Sequence, residues 1–339
     1  MTFSPLASPK ATREVMERHD ISPNKSFGQN FLIDDNIVGR ILDLSEAGPN
    51  DIVVEIGPGI GTLTSALLEN CAGVVAIEKD SSLLPVLQDT LGGSWDRLNL
   101  VRMDALDVRS VDLAYGRTGE ATFIPATPNS KLQGIRRFGA TRTVSQRLYP
   151  DKLIANLPYS VAATIVFDYF QRFEFMESMT VMVQKEVAMR MQAQPGSKDY
   201  GAYTVKLSLY ADAAGSFEVS RNCFLPAPHV DSMVIRLDRK AAEKHGEMFK
   251  QNGEEDSKAL IRAACMMADA AFASRRKTIA NSMRAYFASR RNVDDAFDPS
   301  RVPELLEAAG IDPQVRGEKL AVDQFLRLAK AFLVIDPHA

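Results

Sequence analysis

The stretch Val53-Val54-Glu55-Ile56-Gly57-Pro58-Gly59-Ile60-Gly61 decides the fold, because a short apolar run ends there in three alternating glycines. The run predicts a buried strand, and the glycines predict a tight turn into a helix. Glycine lets the backbone approach a ligand without a Cβ in the way, and the start of the helix offers free N–H groups. The stretch therefore predicts a strand–loop–helix unit at a nucleoside-cofactor site.

Segments that suit strands and helices alternate on both sides of this stretch. Strands are predicted over residues 51–56, 74–77, 98–102, 151–155 and 179–183, and helices over 61–70, 82–91 and 161–173. Further strands are predicted over residues 204–210, 217–219 and 232–237. This alternation indicates an α/β fold with a doubly wound, mainly parallel sheet that ends in antiparallel strands.

The chain divides by composition into a sheet domain and a helical domain. We expect an N-terminal extension over residues 1–25, the sheet domain over 26–238, a polar linker over 239–257 and the helical domain over 258–339. Residues 115–150 are rich in Gly, Thr, Ser, Pro and Arg, without sustained periodicity. Long irregular connections are uncommon in compact domains, so this segment is predicted to be a mobile surface insertion.

Composition excludes several classes of protein. The net charge is −3 and the charged fraction is 24%, as in ordinary globular proteins. The 3 cysteines and 4 histidines stand in no metal-ligand spacing, so no metal site is predicted. No apolar run is long enough for a membrane span, and we expect a reduced, cytoplasmic protein. Positive charge is local, in residues 116–150 and 239–291, and can hold a polyanion.

Two acidic residues extend the predicted cofactor site. Glu78 ends the strand after the glycine loop, where a carboxylate can accept both ribose hydroxyls. The glycines follow Glu55 with G-x-G-x-G spacing, which fits a site for S-adenosylmethionine better than one for a dinucleotide. Dinucleotide sites typically have G-x-G-x-x-G. Asp104 follows the third strand and can accept from an adenine amino group. The alternatives are a glycine turn that binds nothing and, for Asp104, a simple turn residue.

The segment Asn156-Leu157-Pro158-Tyr159 follows a short apolar strand and suits a clamp for a planar amino group. The Asn156 side-chain oxygen and the Leu157 carbonyl can accept the two N–H bonds of an exocyclic nucleobase amine, which turns its lone pair toward an electrophile. Pro158 stiffens the turn and offers no competing N–H. Tyr159 can stack on the base. The alternative is a strand-terminating turn with a half-buried tyrosine.

Phe224 is a second aromatic candidate. It precedes a loop with two prolines, Pro226 and Pro228, which can present the ring rigidly to the other face of the base. The alternative is a core phenylalanine, which is the commoner fate of a single Phe.

Seven motifs occur in the order typical of one family, at residues 25–32, 55–59, 156–159, 184–187, 224–232, 275–278 and 310–313. They resemble the motifs of the small-subunit ribosomal RNA adenine dimethyltransferases of the KsgA/RsmA type, from about residue 25 to residue 328. The resemblance implies a Rossmann-like class I methyltransferase with a mainly parallel seven-stranded sheet, followed by a small all-helical domain.

The resemblance also implies a reaction and a set of site residues. The cofactor S-adenosylmethionine is expected to contact Asn30, Leu32, Gly57, Glu78, Asp104 and Asn156. The reaction is four methyl transfers, two to each of two adjacent adenosines in the 3′-terminal hairpin of small-subunit rRNA. The substrate is an assembling ribosomal particle, and the enzyme is expected to act as a monomer. Arg275, Arg276 and Lys277 are expected to contact rRNA phosphates.

Two alternatives to this function stay open. One is a methyltransferase that modifies large-subunit rRNA and confers macrolide resistance. The other is a non-catalytic assembly or transcription factor that keeps the fold for RNA binding. The chain also departs from the family between Asp104 and Asn156, which lie further apart than expected. The excess coincides with the insertion, which is either an RNA-contacting flap or a solvated loop.

Overall fold

The computed structural model describes residues 2–24, 28–92, 94–115, 124–125, 149–240, 254–290 and 297–336. The chain forms two compact units. The first contains residues 1–188 and 213–239, and the second contains residues 189–212 and 240–339. This division differs from the expected boundaries, because residues 189–212 belong to the second unit and not to the sheet domain.

Ten strands are described: β1 (Phe31–Leu32), β2 (Ile52–Ile56), β3 (Gly73–Glu78), β4 (Leu98–Arg102), β5 (Ile124–Pro125), β6 (Lys152–Asn156), β7 (Ser178–Gln184), β8 (Ala211–Val219), β9 (Phe224–Leu225) and β10 (Ser232–Arg239). The main sheet has the order β5-β4-β3-β2-β6-β7-β10-β8. Its pairs from β5 to β7 are parallel, and β10 is antiparallel to β7. The predicted Rossmann-like, mainly parallel sheet of seven strands is confirmed, with the two-residue β5 as an eighth.

Eleven α-helices are described: α1 (Pro9–Arg18), α2 (Asp35–Ser45), α3 (Thr62–Asn70), α4 (Leu84–Thr90), α5 (Ala162–Arg172), α6 (Lys185–Met191), α7 (Ala202–Ser208), α8 (Glu254–Phe272), α9 (Ile279–Ala288), α10 (Val302–Ala308) and α11 (Val322–Ile335). The helices predicted over residues 61–70, 82–91 and 161–173 correspond to α3, α4 and α5, and α8 to α11 account for the expected helical domain. Sequence analysis did not predict α1, α2 or α6. The Ser8 side chain caps α1 by accepting from the Ala11 N–H, and Pro9 occupies its first turn.

The core of the first unit lies on both faces of the parallel strands. Every residue of β2 and β3 is buried, and Val53 and Val74 are fully inaccessible. A parallel sheet that is covered on both faces needs continuous apolar strands. That requirement explains why the sequence predicts these strands.

The predicted strand over residues 204–210 is wrong. These residues lie largely in helix α7, and Val205 and Leu209 are buried in the core of the second unit. Apolar Val205, Leu207 and Leu209 alternate with Lys206 and Ser208, a period-2 pattern typical of a strand. Positions 205 and 209 are also one helical turn apart, and the tertiary packing selects the helix. The predicted strand over 217–219 is the end of the longer β8.

The predicted insertion lies mostly outside the described residues. Its flanking residue Tyr115 packs on Gly73, at the start of β3, so that a Cβ at Gly73 would clash with its ring. Tyr149 stacks on Phe175 with ring centroids 4.8 Å apart, close to the starts of β6 and β7. Both flanks therefore lie at the amino-terminal ends of the strands. Strand β5 instead pairs with Val101 and Arg102, at the carboxyl end of β4.

No helix within the described ranges is long and apolar enough to cross a membrane.

Candidate cofactor and acceptor site

A cleft lies at the carboxyl ends of the parallel strands β2, β3, β4 and β6 in the first unit. It is lined by residues from the glycine loop, from the ends of β3 and β4, from the turn after β6, and from residues 28–32. Ligands of open α/β sheets bind at this edge. With the exception of Phe224 and of the basic residues of the second unit, the structure brings the predicted site residues together here.

The glycine loop forms one wall of the cleft. Gly57, Gly59 and Gly61 all have positive φ, at 69°, 61° and 92°. The Gly57 N–H donates to the Ile77 carbonyl over 2.9 Å, which ties the loop to β3. A Cβ at Gly59 would lie 3.2 Å from Cε1 of Phe31, so β1 packs directly against the loop. Glycine at these three positions lets the backbone take this path close to Pro158 and Phe31, beside the cleft.

Glu78 ends β3 and is 6% exposed. Its Oε1 accepts from the Asp80 N–H over 2.8 Å. Burial raises the pKa of Glu78 to about 7, although hydrogen bonds from backbone N–H groups of Asp80 and Gly59 partly oppose the rise. This carboxyl group is positioned to accept hydroxyl donors, as predicted for a ribose.

Glu55 is a second buried carboxyl group in the same cleft, and sequence analysis gave it no binding role. It lies in β2 and is 2% exposed, and its Oε2 has no hydrogen-bond partner within the described part of the chain. Burial raises the pKa of Glu55 to about 8, and the nearby Glu78 adds to the rise. An orphaned carboxyl oxygen beside the glycine loop fits a cofactor that carries hydrogen-bond donors, so the cleft suits S-adenosylmethionine.

Asp104 follows β4 and has donors on both carboxylate oxygens. Its Oδ2 pairs with the Lys79 ammonium over 2.7 Å, and its Oδ1 accepts from the Leu106 N–H over 3.0 Å. The hydrogen bond from Lys79 holds the pKa of Asp104 below its ordinary value. Each carboxylate oxygen can accept a second donor, so the predicted contact with an adenine amino group is compatible with this geometry.

Asn156 ends β6 and faces the cleft between these groups and the N-terminal segment. Its Nδ2 donates to the Asn30 carbonyl over 3.2 Å, which leaves Oδ1 as the acceptor atom of the amide. Asn30 itself bonds the Gly28 carbonyl through its side chain over 3.0 Å. Leu32, two residues later, is 3% exposed and lines the cleft from β1. The predicted donor and acceptor halves of the site therefore share one wall.

The turn after Asn156 is held on three sides. The Leu157 N–H donates to the Met182 carbonyl of β7 over 3.1 Å, and its side chain is buried. The Pro158 ring lies against Gly57, where a Cβ would be 3.9 Å from Cδ. The Tyr159 hydroxyl and the Ser232 hydroxyl are 2.5 Å apart, and burial raises the pKa of Tyr159. The half-buried Tyr159 ring is thus anchored at its tip while it lines the cleft.

Phe224 does not join this site. It is 2% exposed, pairs with Leu32 in the β1–β9 ribbon, and packs in the core cluster of the first unit. The ring does not line the cleft, and its burial matches the core alternative, so the second stacking role of Phe224 stays a prediction.

The predicted RNA-binding residues lie in the second unit, in the turn between α8 and α9. The Arg275 Nη2 donates to the carbonyls of Lys198 and Tyr200 over 2.8 and 3.0 Å, so Arg275 ties together two segments of that unit. Arg276 and Lys277 are exposed. Of the three, these two are the better placed to contact an external ligand.

Sequence analysis missed three residues that support the site: Gln29, Asp80 and Ser232. The Gln29 Nε2 donates to Asp80 Oδ2 over 2.8 Å, and Ser232 anchors Tyr159. Proximity in sequence was the available signal for the first two, since Gln29 precedes Asn30 and Asp80 follows Glu78 by two residues. Ser232 is far from Tyr159 in the sequence, and only the tertiary fold reveals the pair.

Comparison with known proteins gives a consistent result. The family model "Ribosomal RNA adenine dimethylase" matches residues 21–332. A protein of Pelotomaculum thermopropionicum named ribosomal RNA small subunit methyltransferase A is 37% identical, over 97% of this chain and 97% of its own length. A protein of the same name from Corynebacterium jeikeium is 34% identical, over 97% and 96%.

Two solved structures share the fold. A dimethyladenosine transferase from Plasmodium falciparum superposes with a TM-score of 0.62 at 21% identity, over 89% of this chain and 97% of that one. A 23S rRNA methyltransferase, ErmE, superposes with a TM-score of 0.55 at 23% identity, over 89% and 99%. At these identities the likeness concerns the fold alone.

Proposed function

The chain belongs to the ribosomal RNA adenine dimethylase family, and from that premise we propose that it methylates N6 of two adjacent adenosines in the 3′-terminal hairpin of small-subunit rRNA. It is an S-adenosylmethionine-dependent enzyme, and its substrate is ribosomal RNA. The observation that carries the site assignment is the position of Asn156, whose amide is oriented by the Asn30 carbonyl beside the glycine loop and Glu78.

The donor half of the site holds the cofactor. Gly57 and the backbone of residues 30–32 would line it, Glu78 would accept its ribose hydroxyls, and Asp104 would accept from its adenine amine. Glu55 would supply an additional acceptor, since its Oε2 is buried without a partner among the described residues. S-adenosylmethionine, when bound, supplies an electrophilic methyl group on a sulfonium.

The acceptor half prepares the adenine nitrogen. Asn156 Oδ1 and the Leu157 carbonyl would accept the two N–H bonds of the amine, so that its nitrogen moves toward sp³ geometry and its lone pair localises toward the methyl donor. The bond from Asn156 Nδ2 to the Asn30 carbonyl keeps the amide from rotating. The Tyr159 ring, fixed through Ser232, would hold the base by stacking. Rate enhancement would come from positioning and fixed dipoles rather than from a general base.

The small-subunit substrate is better supported than the alternatives. The two relatives above, at 37% and 34% identity, carry the small-subunit name, whereas the 23S enzyme is similar at 23%. A non-catalytic RNA-binding protein would have no need for an amide held beside a cofactor cleft. Methyl label found on large subunits instead of small ones would favour the macrolide-resistance type.

The substrate in the cell would be an assembling small-subunit particle in the cytoplasm, modified by a monomeric enzyme. An adenine in a hairpin loop is easier to extrude than one in a duplex, which suits a pocket that takes one base at a time. The first unit would carry methyl transfer, and the second would bind RNA through Arg276 and Lys277. Faster methylation of naked rRNA than of immature particles would contradict the particle as substrate.

The test of this function is transfer of labelled methyl groups to undermethylated small subunits. Wild type should transfer label to adenines of the 3′-terminal hairpin. Asn156→Ala should lower kcat by about 100- to 1,000-fold, the usual cost of removing one preorganised polar group that acts in the transition state. Asn36→Ala, at an exposed position of α2, is the matched control and should leave kcat unchanged. Full turnover of Asn156→Ala would contradict the mechanism.

A further inference from the structure

Residues Gln29 and Asn30 bridge the two ends of the cleft. The Gln29 side chain donates from Nε2 to Asp80 Oδ2 over 2.8 Å, beside the ribose-binding end. The carbonyl of the next residue, Asn30, accepts from Asn156 Nδ2 over 3.2 Å, at the acceptor end. Two adjacent residues therefore contact Asp80 in the cofactor half of the site and Asn156 in the acceptor half.

The Asp80 end of this bridge is rigid. Asp80 Oδ1 accepts from the N–H and the hydroxyl of Ser82 over 3.0 and 2.7 Å, and the Asp80 N–H donates to Glu78 Oε1 over 2.8 Å. Burial opposes ionisation of Asp80, but the hydrogen bonds from Ser82 and Gln29 outweigh it and hold its pKa below the ordinary value. Gln29 thus donates to a fixed carboxylate, and the backbone N–H of the same residue, Asp80, donates to Glu78.

The other side of the bridge is also supported. Gln29 Oε1 accepts from the Asn24 N–H over 2.8 Å, so the Gln29 amide is held at both of its ends. Phe31, which follows the bridge, is 6% exposed and packs in a small core cluster with Val15 of α1 and with Leu83. The position of the Gln29–Asn30 dipeptide is consequently fixed by contacts of the residues before and after it as well as by its own.

We propose that Gln29 is a positioning residue for methyl transfer: its bond to Asp80 sets the place of the Gln29–Asn30 dipeptide, and through it both the Glu78 end of the cofactor site and the orientation of the Asn156 amide. A substitution at Gln29 then weakens two functions that lie at opposite ends of the cleft. The acceptor half of this inference rests on the function proposed above, whereas the cofactor half does not.

The experiment uses four variants of the full chain. Gln29→Ala removes the bond, and Gln29→Glu places a second carboxylate against Asp80. The double variant Gln29→Glu/Asp80→Asn restores a hydrogen bond with reversed polarity, since the asparagine amide can donate to Glu while its oxygen keeps the Ser82 contacts. Gln88→Ala, at an exposed position of α4, is the matched control.

Affinity for S-adenosylmethionine is measured by calorimetry in the absence of RNA, and kcat is measured at saturating cofactor on undermethylated small subunits. Gln29→Ala should bind about tenfold more weakly, the usual effect of losing a hydrogen bond to a charged group, and should also lower kcat. Gln29→Glu should be worse in both, and the double variant should recover to within about threefold of wild type. Gln88→Ala should match wild type.

Three results would overturn the proposal. One is wild-type affinity and turnover in Gln29→Ala. Another is a double variant whose cofactor affinity and kcat are no better than those of Gln29→Glu, which would show that Gln29 is needed only for folding. The thermal midpoint of each ligand-free variant measures the effect on folding separately. The third is weaker binding with unchanged kcat at saturation, which would break the link to Asn156. A wild-type protein that binds the cofactor but methylates no small subunit would instead refute the proposed function, and the calorimetric result would still decide the cofactor half.

Discussion

At the scale of single residues, the cleft contains two buried carboxyl groups, Glu55 and Glu78, whose pKa values are raised by burial to about 8 and about 7. The folded, ligand-free protein holds these protons more tightly than the unfolded chain does. Their contribution to the free energy of unfolding is therefore fully present below a pH of about 4.5 and is lost as the pH rises through about 7 to 8.

Cofactor binding should have the opposite pH dependence. Ribose hydroxyls that donate to Glu78 favour its ionised form, so binding should release a proton and tighten as the pH rises from 6 to 8, through the pKa of about 7. Calorimetry in buffers of different ionisation enthalpy would measure both the affinity and the proton count. Glu78→Gln should bind more weakly and lose most of this dependence.

The matched control for Glu78→Gln is Glu69→Gln, at an exposed position of α3. It should keep both the affinity and the pH profile of wild type. Binding that is equally tight at pH 6 and pH 8, or tighter at pH 6, would contradict a role for an ionising Glu78 in the site.

At the scale of elements, the glycine loop is placed by a strand on each side, β2 before it and β1 packed across it. Gly59 is the tightest point, because its φ is 61° and a Cβ would lie 3.2 Å from the Phe31 ring. The backbone there is in a conformation that alanine adopts at a cost of about 1–2 kcal/mol. The loop geometry thus depends on glycine for both conformation and space.

Gly59→Ala should therefore lower affinity for S-adenosylmethionine by about tenfold and destabilise the protein by about 1–2 kcal/mol. Calorimetry and chemical denaturation would measure the two effects. Gly48→Ala is the control, since its nearest neighbour would lie 4.0 Å from the new Cβ and its φ is not positive. A Gly59→Ala protein with normal affinity would mean that the loop does not touch the cofactor.

The parallel strands and the cleft residues at their carboxyl ends could be predicted, because both depend on local sequence. Continuous apolar strands such as β2 follow from burial on both faces, and Gly57 and Asn156 stand at the strand ends where parallel sheets bind ligands. Helix α7 was not predictable, because Val205, Leu207 and Leu209 satisfy both periods. The Tyr159–Ser232 pair could not be predicted from the sequence either, since only folding brings these residues together.

At the scale of the whole molecule, charge is distributed unevenly between the two units. The protein has a net charge of −3, yet Arg276 and Lys277 stand exposed beside Arg275, which is engaged with backbone carbonyls. The division separates a unit that contains the cofactor cleft from a helical unit with a basic turn. If the second unit binds RNA, as proposed, substrate affinity can be changed without changing the cofactor site.

If Arg276 and Lys277 each contact one phosphate, as proposed, the variant Arg276→Glu/Lys277→Glu should weaken binding to small subunits by tenfold or more and reduce the slope of log affinity against log salt by about 2. Its affinity for S-adenosylmethionine should equal that of wild type. Binding measured over a series of salt concentrations would check the prediction.

The control for that variant is Lys10→Glu/Arg13→Glu, which makes the same change in net charge at exposed positions of α1 in the first unit. It should leave the salt slope unchanged if RNA is held by the second unit. An equal loss in both variants would show that overall charge, and not the α8–α9 turn, determines binding.

The amide of Asn156 takes its orientation from a main-chain oxygen at position 30. Every amino acid carries that oxygen, so substitutions at position 30 keep the acceptor of this hydrogen bond, whereas every substitution at position 156 other than glutamine removes the amide itself. A genetic screen for loss of rRNA modification should accordingly recover many alleles at position 156 and few at position 30.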